Sequence, residues 1–136
     1  MRQAFDSFAG IDNFALYLAV SLAYLGVFVA IYLRVTPYRE LQLIREGNMA
    51  ASFSLSGSIL GFVIPLASAV QHSVSLADMA IWGVIAMVVQ IAAFVVAKLL
   101  IPSITADIPA NKTSAGFFLG ALSLSVGLLN AACMSY

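Results

Sequence analysis

The side chains that could do chemistry in this sequence are a few polar residues set within long apolar runs. Gln90 lies near the middle of one run, and Asn130 lies toward the end of another. An amide inside a membrane must find a hydrogen-bond partner, so Gln90 indicates an interhelical hydrogen bond. No Asp, Glu, His or Arg falls within the core of any run, and Lys98 is close to the end of its run. We therefore expect no conventional proton-driven transport.

Two of the apolar runs carry stripes of small residues at helical spacing. One stripe is Ser54, Gly57, Gly61 and Ser68, and the other is Gly116, Gly120, Ser123, Gly127 and Asn130. In lipid such faces let two helix backbones approach closely, which favours packing within one chain or between copies. The alternative is a narrow polar pathway lined by the serines and Asn130. Pro65 lacks the N–H that would bond to the Gly61 carbonyl, so it should kink its helix.

Asn48 and Asn111 stand at matched positions before two of the apolar runs. Asparagine is a favoured N-cap, because its side-chain oxygen accepts from a free backbone N–H. The alternative is an anion site for phosphate or a lipid headgroup, since Arg45 and Lys112 lie next to these helix starts.

The segment between the first two runs predicts a short interfacial helix from Pro37 to Glu46, with Thr36 as its N-cap and Gly47 as its C-terminal stop. Its apolar face is predicted to be Tyr38, Leu41 and Ile44, and its charged residues are Arg39, Glu40, Arg45 and Glu46. Such an amphipathic helix lies on the membrane surface. We expect its charged face to be the docking surface for a cytoplasmic protein.

No motif for catalysis or for cofactor binding is present. The sequence lacks a phosphate loop, a zinc signature and a nucleophile elbow, and the runs hold neither a nucleophile–base pair nor an acidic pair. His72, Cys133 and Met134 should lie at similar depth, where sulfur and imidazole would suit copper, but inert packing is the favoured interpretation. We expect a protein that is not an enzyme and has neither a cofactor nor a metal site.

The elements that must position these residues are membrane-spanning helices. The chain of 136 residues is 62% hydrophobic and only 9% charged, whereas soluble domains are about 45–50% apolar and about 25% charged. Four runs reach the roughly 20 residues needed to cross a bilayer. They are Phe14–Leu33, Met49–Val70, Met79–Ile101 and Ser114–Met134. The sequence therefore predicts an all-α membrane protein, residues 1–136 forming one domain of four transmembrane helices.

The distribution of cations predicts the orientation. Five of the six Lys and Arg residues flank the first and third connections, and the sixth is Arg2. Because positive residues stay in the cytoplasm, both termini should face outward. The net charge of zero gives no basis for binding nucleic acid.

The two halves of the chain resemble each other when Asn48 is aligned with Asn111. At that offset Gly57, Val63, Leu66 and Ala69 fall on Gly120, Val126, Leu129 and Ala132. This indicates two span–loop–span units, at about 14–70 and 79–134, related as a parallel repeat.

Two long segments also carry a family resemblance. They read TPYRELQLIREGNMAASFSLSGSILGFVIPLASA and NKTSAGFFLGALSLSVGLLNAACM. Together they closely resemble the YjfL-type bacterial inner-membrane proteins, domain-of-unknown-function family 350. The resemblance implies a multi-pass inner-membrane protein and, from the usual neighbouring genes, a membrane-maintenance role. It supplies no reaction and no catalytic residues.

Two functional hypotheses follow. The first is a protein that acts by helix association, as a homo-oligomer or as the membrane anchor of a membrane-maintenance system. The second is a small channel or transporter formed by oligomerisation, with Ser and Asn side chains lining the path around Pro65.

Overall fold

The computed structural model describes residues 2–134, a range that contains six helices. Their bounds are α1 Arg2–Val35, α2 Glu40–Arg45, α3 Met49–His72, α4 Leu76–Leu100, α5 Ile104–Asp107 and α6 Thr113–Cys133. The long helices α1, α3, α4 and α6 are each apolar enough to cross a membrane. Helices suit this environment because they satisfy their own backbone hydrogen bonds. The predicted all-α fold with four transmembrane helices is confirmed.

The pair α3 and α6 forms the centre of the bundle, and their backbones are in direct contact. A Cβ on Gly57 or Gly127 would lie closer than 3.0 Å to the backbone of the opposite helix, at Gly120 and Gly61 respectively. Gly116 meets Ala50 in the same way near the helix starts, so α3 and α6 run parallel. The glycines of the two stripes thus lie in one contact between α3 and α6 inside a single chain.

Helix α4 packs on both α3 and α6, and α1 packs on α3 and α4 from one side. The Phe28 ring of α1 stacks on Phe62 with 4.4 Å between centroids. The Tyr24 hydroxyl donates to the Ala80 carbonyl at 2.7 Å. Nearly all of the most apolar stretch of α1 lies outside the bundle, so this helix is held at the edge by a few aromatic contacts. At 34 residues α1 also starts well before the predicted span at Phe14.

The two connections that hold α2 and α5 lie side by side, and we call this end of the bundle the two-loop end. Gly47 follows α2 with φ 86°, and Asn111 follows α5 with φ 60°. In each case the next residue bonds back to the helix, Asn48 N–H to the Leu43 carbonyl at 2.9 Å and Lys112 N–H to the Asp107 carbonyl at 3.0 Å. Both connections therefore end in a Schellman motif, with Gly47 as the predicted stop.

The prediction for the start of the interfacial helix is wrong. Thr36 is buried, and its hydroxyl donates to the Tyr32 carbonyl at 3.2 Å in the last turn of α1. This local bond competes with capping, as threonine side chains often do. The helix begins instead at Glu40, after Arg39, which makes no side-chain capping bond.

The internal repeat stays a prediction. Helix α3 follows Asn48 and α6 follows Lys112, which is one residue away from the alignment of Asn48 with Asn111.

We predict that Gly57→Ala and Gly120→Ala each lower the free energy of unfolding by about 1–3 kcal/mol, because the added methyl group meets backbone that cannot move aside. Gly26→Ala is the matched control, since nothing lies within 4 Å of its added Cβ; alanine's higher helix propensity should leave it neutral or slightly stabilised. Reversible unfolding in mixed micelles, followed by circular dichroism, measures the difference. Equal effects at all three glycines would contradict the packing described above.

Candidate functional site: a buried acid at the two-loop end

Glu40, the first residue of α2, is fully buried, with 0% of its surface exposed. The predicted role of Glu40 on an exposed docking surface is therefore wrong. Helix α2 lies on α3, and the face turned inward is Glu40, Leu43 and Ile44, at spacings of three and four residues. Leu41, predicted to be on the apolar face, is 47% exposed.

Hydroxyl groups from three parts of the chain surround the Glu40 carboxyl group. Tyr38 comes from the segment before α2 and lies beside both Glu40 and Ser54 of α3. Tyr32 comes from the last turns of α1 and lies near Glu40 and beside Ser58 of α3. All five residues are buried. The site is thus assembled from α1, α2 and α3, which explains why no local motif reveals it.

Several polar atoms of this cluster lack an aligned partner within the described part of the chain. They are both carboxyl oxygens of Glu40 and the hydroxyls of Tyr32 and Tyr38. Such atoms are rare in folded proteins, because an unpaired buried polar group costs about 1–3 kcal/mol. The free-energy cost of these buried polar atoms therefore indicates that the cluster has a functional role.

The cluster continues into the middle of the bundle. The Ser58 hydroxyl donates to the Ser123 hydroxyl of α6 at 3.4 Å. The Gln90 amide nitrogen of α4 donates to the Ser123 carbonyl at 2.9 Å, while its amide oxygen has no partner among the described residues. We call the whole set the polar track. Its members are Glu40, Tyr38, Ser54, Tyr32, Ser58, Ser123 and Gln90, all of them buried.

Gly61 makes room for the inner end of the polar track. A Cβ at Gly61 would meet the Gln90 amide nitrogen and the Ser123 backbone at less than 3.0 Å. The predicted interhelical hydrogen bond of Gln90 is thus made to the α6 backbone, and its side chain lies against α3. Helical rise of about 1.5 Å per residue puts Gln90 and Gly61 roughly 15–18 Å from the two-loop end, near mid-bundle.

The electrostatics of Glu40 follow from its burial. Desolvation raises the pKa of the Glu40 carboxyl from 4.5 to about 8, and the neighbouring Tyr38 hydroxyl opposes part of that rise. Burial, and then the proximity of Glu40, also raise the pKa of the Tyr38 hydroxyl. The ion pair seen between described residues joins Lys112 to Asp107 at 3.3 Å, so no cation compensates Glu40 there. Near neutral pH the acid therefore keeps its proton.

The two predicted caps have different roles. Asn48 caps α3, its side-chain oxygen accepting from the Ala51 N–H at 2.8 Å while its amide donates to the Ile108 carbonyl at 3.0 Å. Asn111 does not cap α6; its oxygen accepts from the Ala50 N–H of α3 at 3.3 Å. The difference arises because Asn111 occupies the positive-φ position that ends the α5 turn. Both side chains therefore tie the two connections together.

The remaining candidates lie toward the opposite end of the bundle. The side chain of Ser68 is half-buried, and its carbonyl lies 2.9 Å from the His72 Nδ1 atom. Asn130 is half-buried, and its amide nitrogen is enclosed without a partner among the described residues. Cys133 is exposed whereas Met134 is buried. Within residues 2–134 no three His, Cys, Asp or Glu side chains group as metal ligands.

Comparison with known proteins gives the chain its family. The family described as Domain of Unknown Function (DUF350) matches residues 6–134. The chain belongs to the DUF350 family. Relatives include the UPF0719 inner membrane protein YjfL of Escherichia coli strain K12, 42% identical over 123 residues, which are 90% of this chain and 93% of the relative. The UPF0719 transmembrane protein YshE of Bacillus subtilis strain 168 is 29% identical over 124 residues, 87% of this chain and 90% of the relative.

The family resemblance seen in the sequence is thereby confirmed. The relatives' names, together with four helices long enough to span a bilayer, support an inner-membrane, multi-pass location for this DUF350 chain. No solved structure matches the chain.

The sequence around α2 contains one signal for the burial of Glu40. Glu40 shares a helical face with Leu43 and Ile44, and an acid on such a face is buried when the face packs on a neighbour. From the sequence alone, Tyr32 and Tyr38 are typical of tyrosines at the membrane surface, where this residue is common. Nothing in the local sequence brings them together.

We predict that burial of Glu40 makes the folded protein less stable as the pH rises. The folded chain holds this proton up to about pH 8 and the unfolded chain releases it near 4.5. Between these values the native state binds the extra proton, so the stabilising contribution is complete below 4.5, declines through the window and is lost above 8. Thermal unfolding in detergent across this range should show the decline in wild type and not in Glu40→Gln.

Glu46→Gln is the matched control, because Glu46 flanks the same helix and is exposed. It should keep the wild-type pH dependence. A wild-type profile that coincides with that of Glu40→Gln would show that Glu40 is ionised in the fold.

Proposed function

We propose that this DUF350 chain is a small, non-enzymatic membrane transport protein whose pathway includes the polar track. The observation that carries the proposal is a fully buried acid, Glu40, at the two-loop end, which makes no aligned hydrogen bond within the described residues and is followed by hydroxyl and amide groups to mid-bundle. An ionisable residue enclosed within a transmembrane bundle commonly marks an ion or substrate path. The sequence-based argument against transport, that the spans lack a buried acid, loses its force because the acid comes from the connection.

The cost of the polar track supports this proposal. Apolar side chains of similar size would pack at these positions without leaving unpaired polar atoms, and replacing buried polar groups in this way is often neutral or stabilising. The glycine contact of α3 with α6 already holds the bundle together. Packing therefore gives no reason for the seven buried polar side chains of the track.

The polar track ends at Gln90, near mid-bundle, so a transport pathway must continue from there to the opposite side of the membrane. Fully buried side chains described beyond that level are apolar, such as Leu66 and Met79, whereas Asn130 there is half-buried with its amide nitrogen enclosed. Pro65 lies at the level where the polar track stops, and it leaves the Gly61 carbonyl without its helical N–H donor. We propose that copies of the chain assemble as a homo-oligomer and that α3 opens at Gly61–Pro65 to complete the path.

We predict that Gln90→Leu abolishes transport and that Ser123→Ala reduces it, because each removes a polar member of the track. Ser125→Ala is the matched control: this serine lies on the same helix, is exposed, and donates only to the Ala121 carbonyl in its own helix. Flux from proteoliposomes would be measured for a panel of small ions and solutes. Absence of flux for the whole panel in wild type would contradict the proposal.

A second candidate is association, in which the chain acts as the anchor or assembly partner of a membrane-maintenance system. Its support is the outer face of α2, where Arg39, Leu41, Arg45 and Glu46 are exposed. Glu40 is buried and so does not contribute to that surface. The glycine stripes already pack against each other within one chain and so offer no free face for a second copy. This candidate therefore rests on less of the structure than transport does.

The proposed orientation puts the two-loop end in the cytoplasm, since five cations lie at or near it. We predict that Glu46→Cys, in a Cys133→Ala background, reacts with a membrane-impermeant maleimide only after the membrane is opened. Val74→Cys should react in intact cells, because Val74 is 92% exposed in the connection between α3 and α4. The reverse labelling pattern would place the termini in the cytoplasm.

A further inference from the structure

We propose that the ion served by the polar track is the proton, and that Glu40 is the group that binds and releases it at the two-loop end. This inference rests on the proposed transport function and names its substrate. It follows from what surrounds the Glu40 carboxyl group.

The enclosure around Glu40 suits a neutral acid better than a carboxylate. The residue has no exposed surface, and its carboxyl oxygens lie beside the Tyr38 hydroxyl without an aligned hydrogen bond to any described residue. A carboxylate in such a place would lack the solvation that water, a cation or backbone N–H groups provide. A carboxyl group needs less, and its O–H can donate to the oxygen of Tyr38 beside it.

The charged and titratable groups that face Glu40 are few. Tyr32 approaches from α1 and Tyr38 from the segment before α2, while α3 contributes only hydroxyl groups such as Ser54. On α2 and its flanks the charged residues are Arg39, Arg45 and Glu46, all exposed. With burial raising the pKa of Glu40 to about 8, the acid is protonated at neutral pH and can still lose its proton at accessible cost.

Glu40 is enclosed yet close to solvent. A surface groove of about 350 Å³ lies at this point of the two-loop end, lined by Leu33, Arg39, Glu40, Leu41, Gln42 and Arg45. A small rotation of α2, a helix of only 6 residues, would bring water from the groove to the carboxyl group. The arginines at the rim disfavour entry of metal cations, whereas a proton can arrive through water itself.

The next members of the track are suited to move a proton. A hydroxyl group can accept a proton on its oxygen while releasing its own to the next acceptor, so each group ends neutral and one proton has advanced. The longer series of neighbours is Tyr32, Ser58 and Ser123. Tyr38 and Ser54 form a shorter branch, in which the Ser54 hydroxyl donates to the Ala51 carbonyl of its own helix. No such shuttling is available to a metal cation, which would need several oxygen ligands at once.

The test combines infrared titration with proton flux on reconstituted full-length protein. Wild type should show the carbonyl stretch of a protonated carboxyl group that disappears as the pH passes about 8. Glu40→Gln should lack that signal and Glu46→Gln should keep it. In vesicles with an imposed potential, Glu40→Gln should lower proton flux to that of protein-free vesicles, while Glu46→Gln should match wild type.

The outcomes separate this inference from the proposed function. A carboxyl signal that titrates near 4.5, or that sodium abolishes at constant pH, would overturn proton binding at Glu40. Flux of another solute that Gln90→Leu abolishes and Glu40→Gln leaves intact would overturn the proton while transport stands. A signal that titrates near 8 without any flux would refute transport and establish proton binding alone. Should Glu40→Gln fail to fold, the wild-type titration and Glu40→Asp, which keeps a titrating carboxyl group, decide the matter.

Discussion

The rest of the structure depends on the backbone contact between α3 and α6. Without side chains at Gly57, Gly61, Gly116, Gly120 and Gly127, the two helices come close enough for Ser58 and Ser123 to meet across the interface. The same closeness lets Gln90 reach the α6 backbone while lying against Gly61. In lipid no hydrophobic effect holds helices together, so this close packing supplies much of the association. The inner half of the polar track is a consequence of it.

The two-loop end adds a second constraint, because its connections bind each other rather than only their own helices. Asn48 donates across to the Ile108 carbonyl, and Asn111 accepts from the Ala50 N–H. These bonds hold the start of α3, which directly follows the α2 connection, against the second connection. By contrast, α1 is held by a few aromatic contacts at the edge of the bundle. The part of the track between α1 and α3 is therefore bounded by α3, which is held by these bonds, and by α1, which is held by fewer contacts.

The spans and the small-residue stripes could be predicted from the sequence, because hydropathy and helical spacing are local properties. Their bounds were less accurate at α1, where Gly10 and Asp12 interrupt the apolar run without ending the helix. Glu40 could not be predicted as buried, since its environment comes from α1 and α3 as well as α2. A charged residue between Arg39 and Arg45 is ordinarily solvated, and only the way α2 lies on α3 reverses that expectation. Asn111 is a similar case: its type suits both a cap and a positive-φ turn, and the α5 turn decides between them.

The position of the acid also limits which kind of transport the proposed function can be. Among the described residues Glu40 is the one ionisable carboxyl group that is fully buried, and the fully buried side chains beyond mid-bundle are apolar. Coupled exchange of a proton for another solute needs two occupancy states linked across both sides of the membrane, commonly through more than one titrating group. A single buried acid near one surface, continued by hydroxyl groups, suits a path open to one ion type from one side. Within the proposed transport function, this arrangement favours a gated proton conductor over a coupled transporter, and we propose that the gate lies where Pro65 removes a backbone hydrogen bond of α3 beside Gly61.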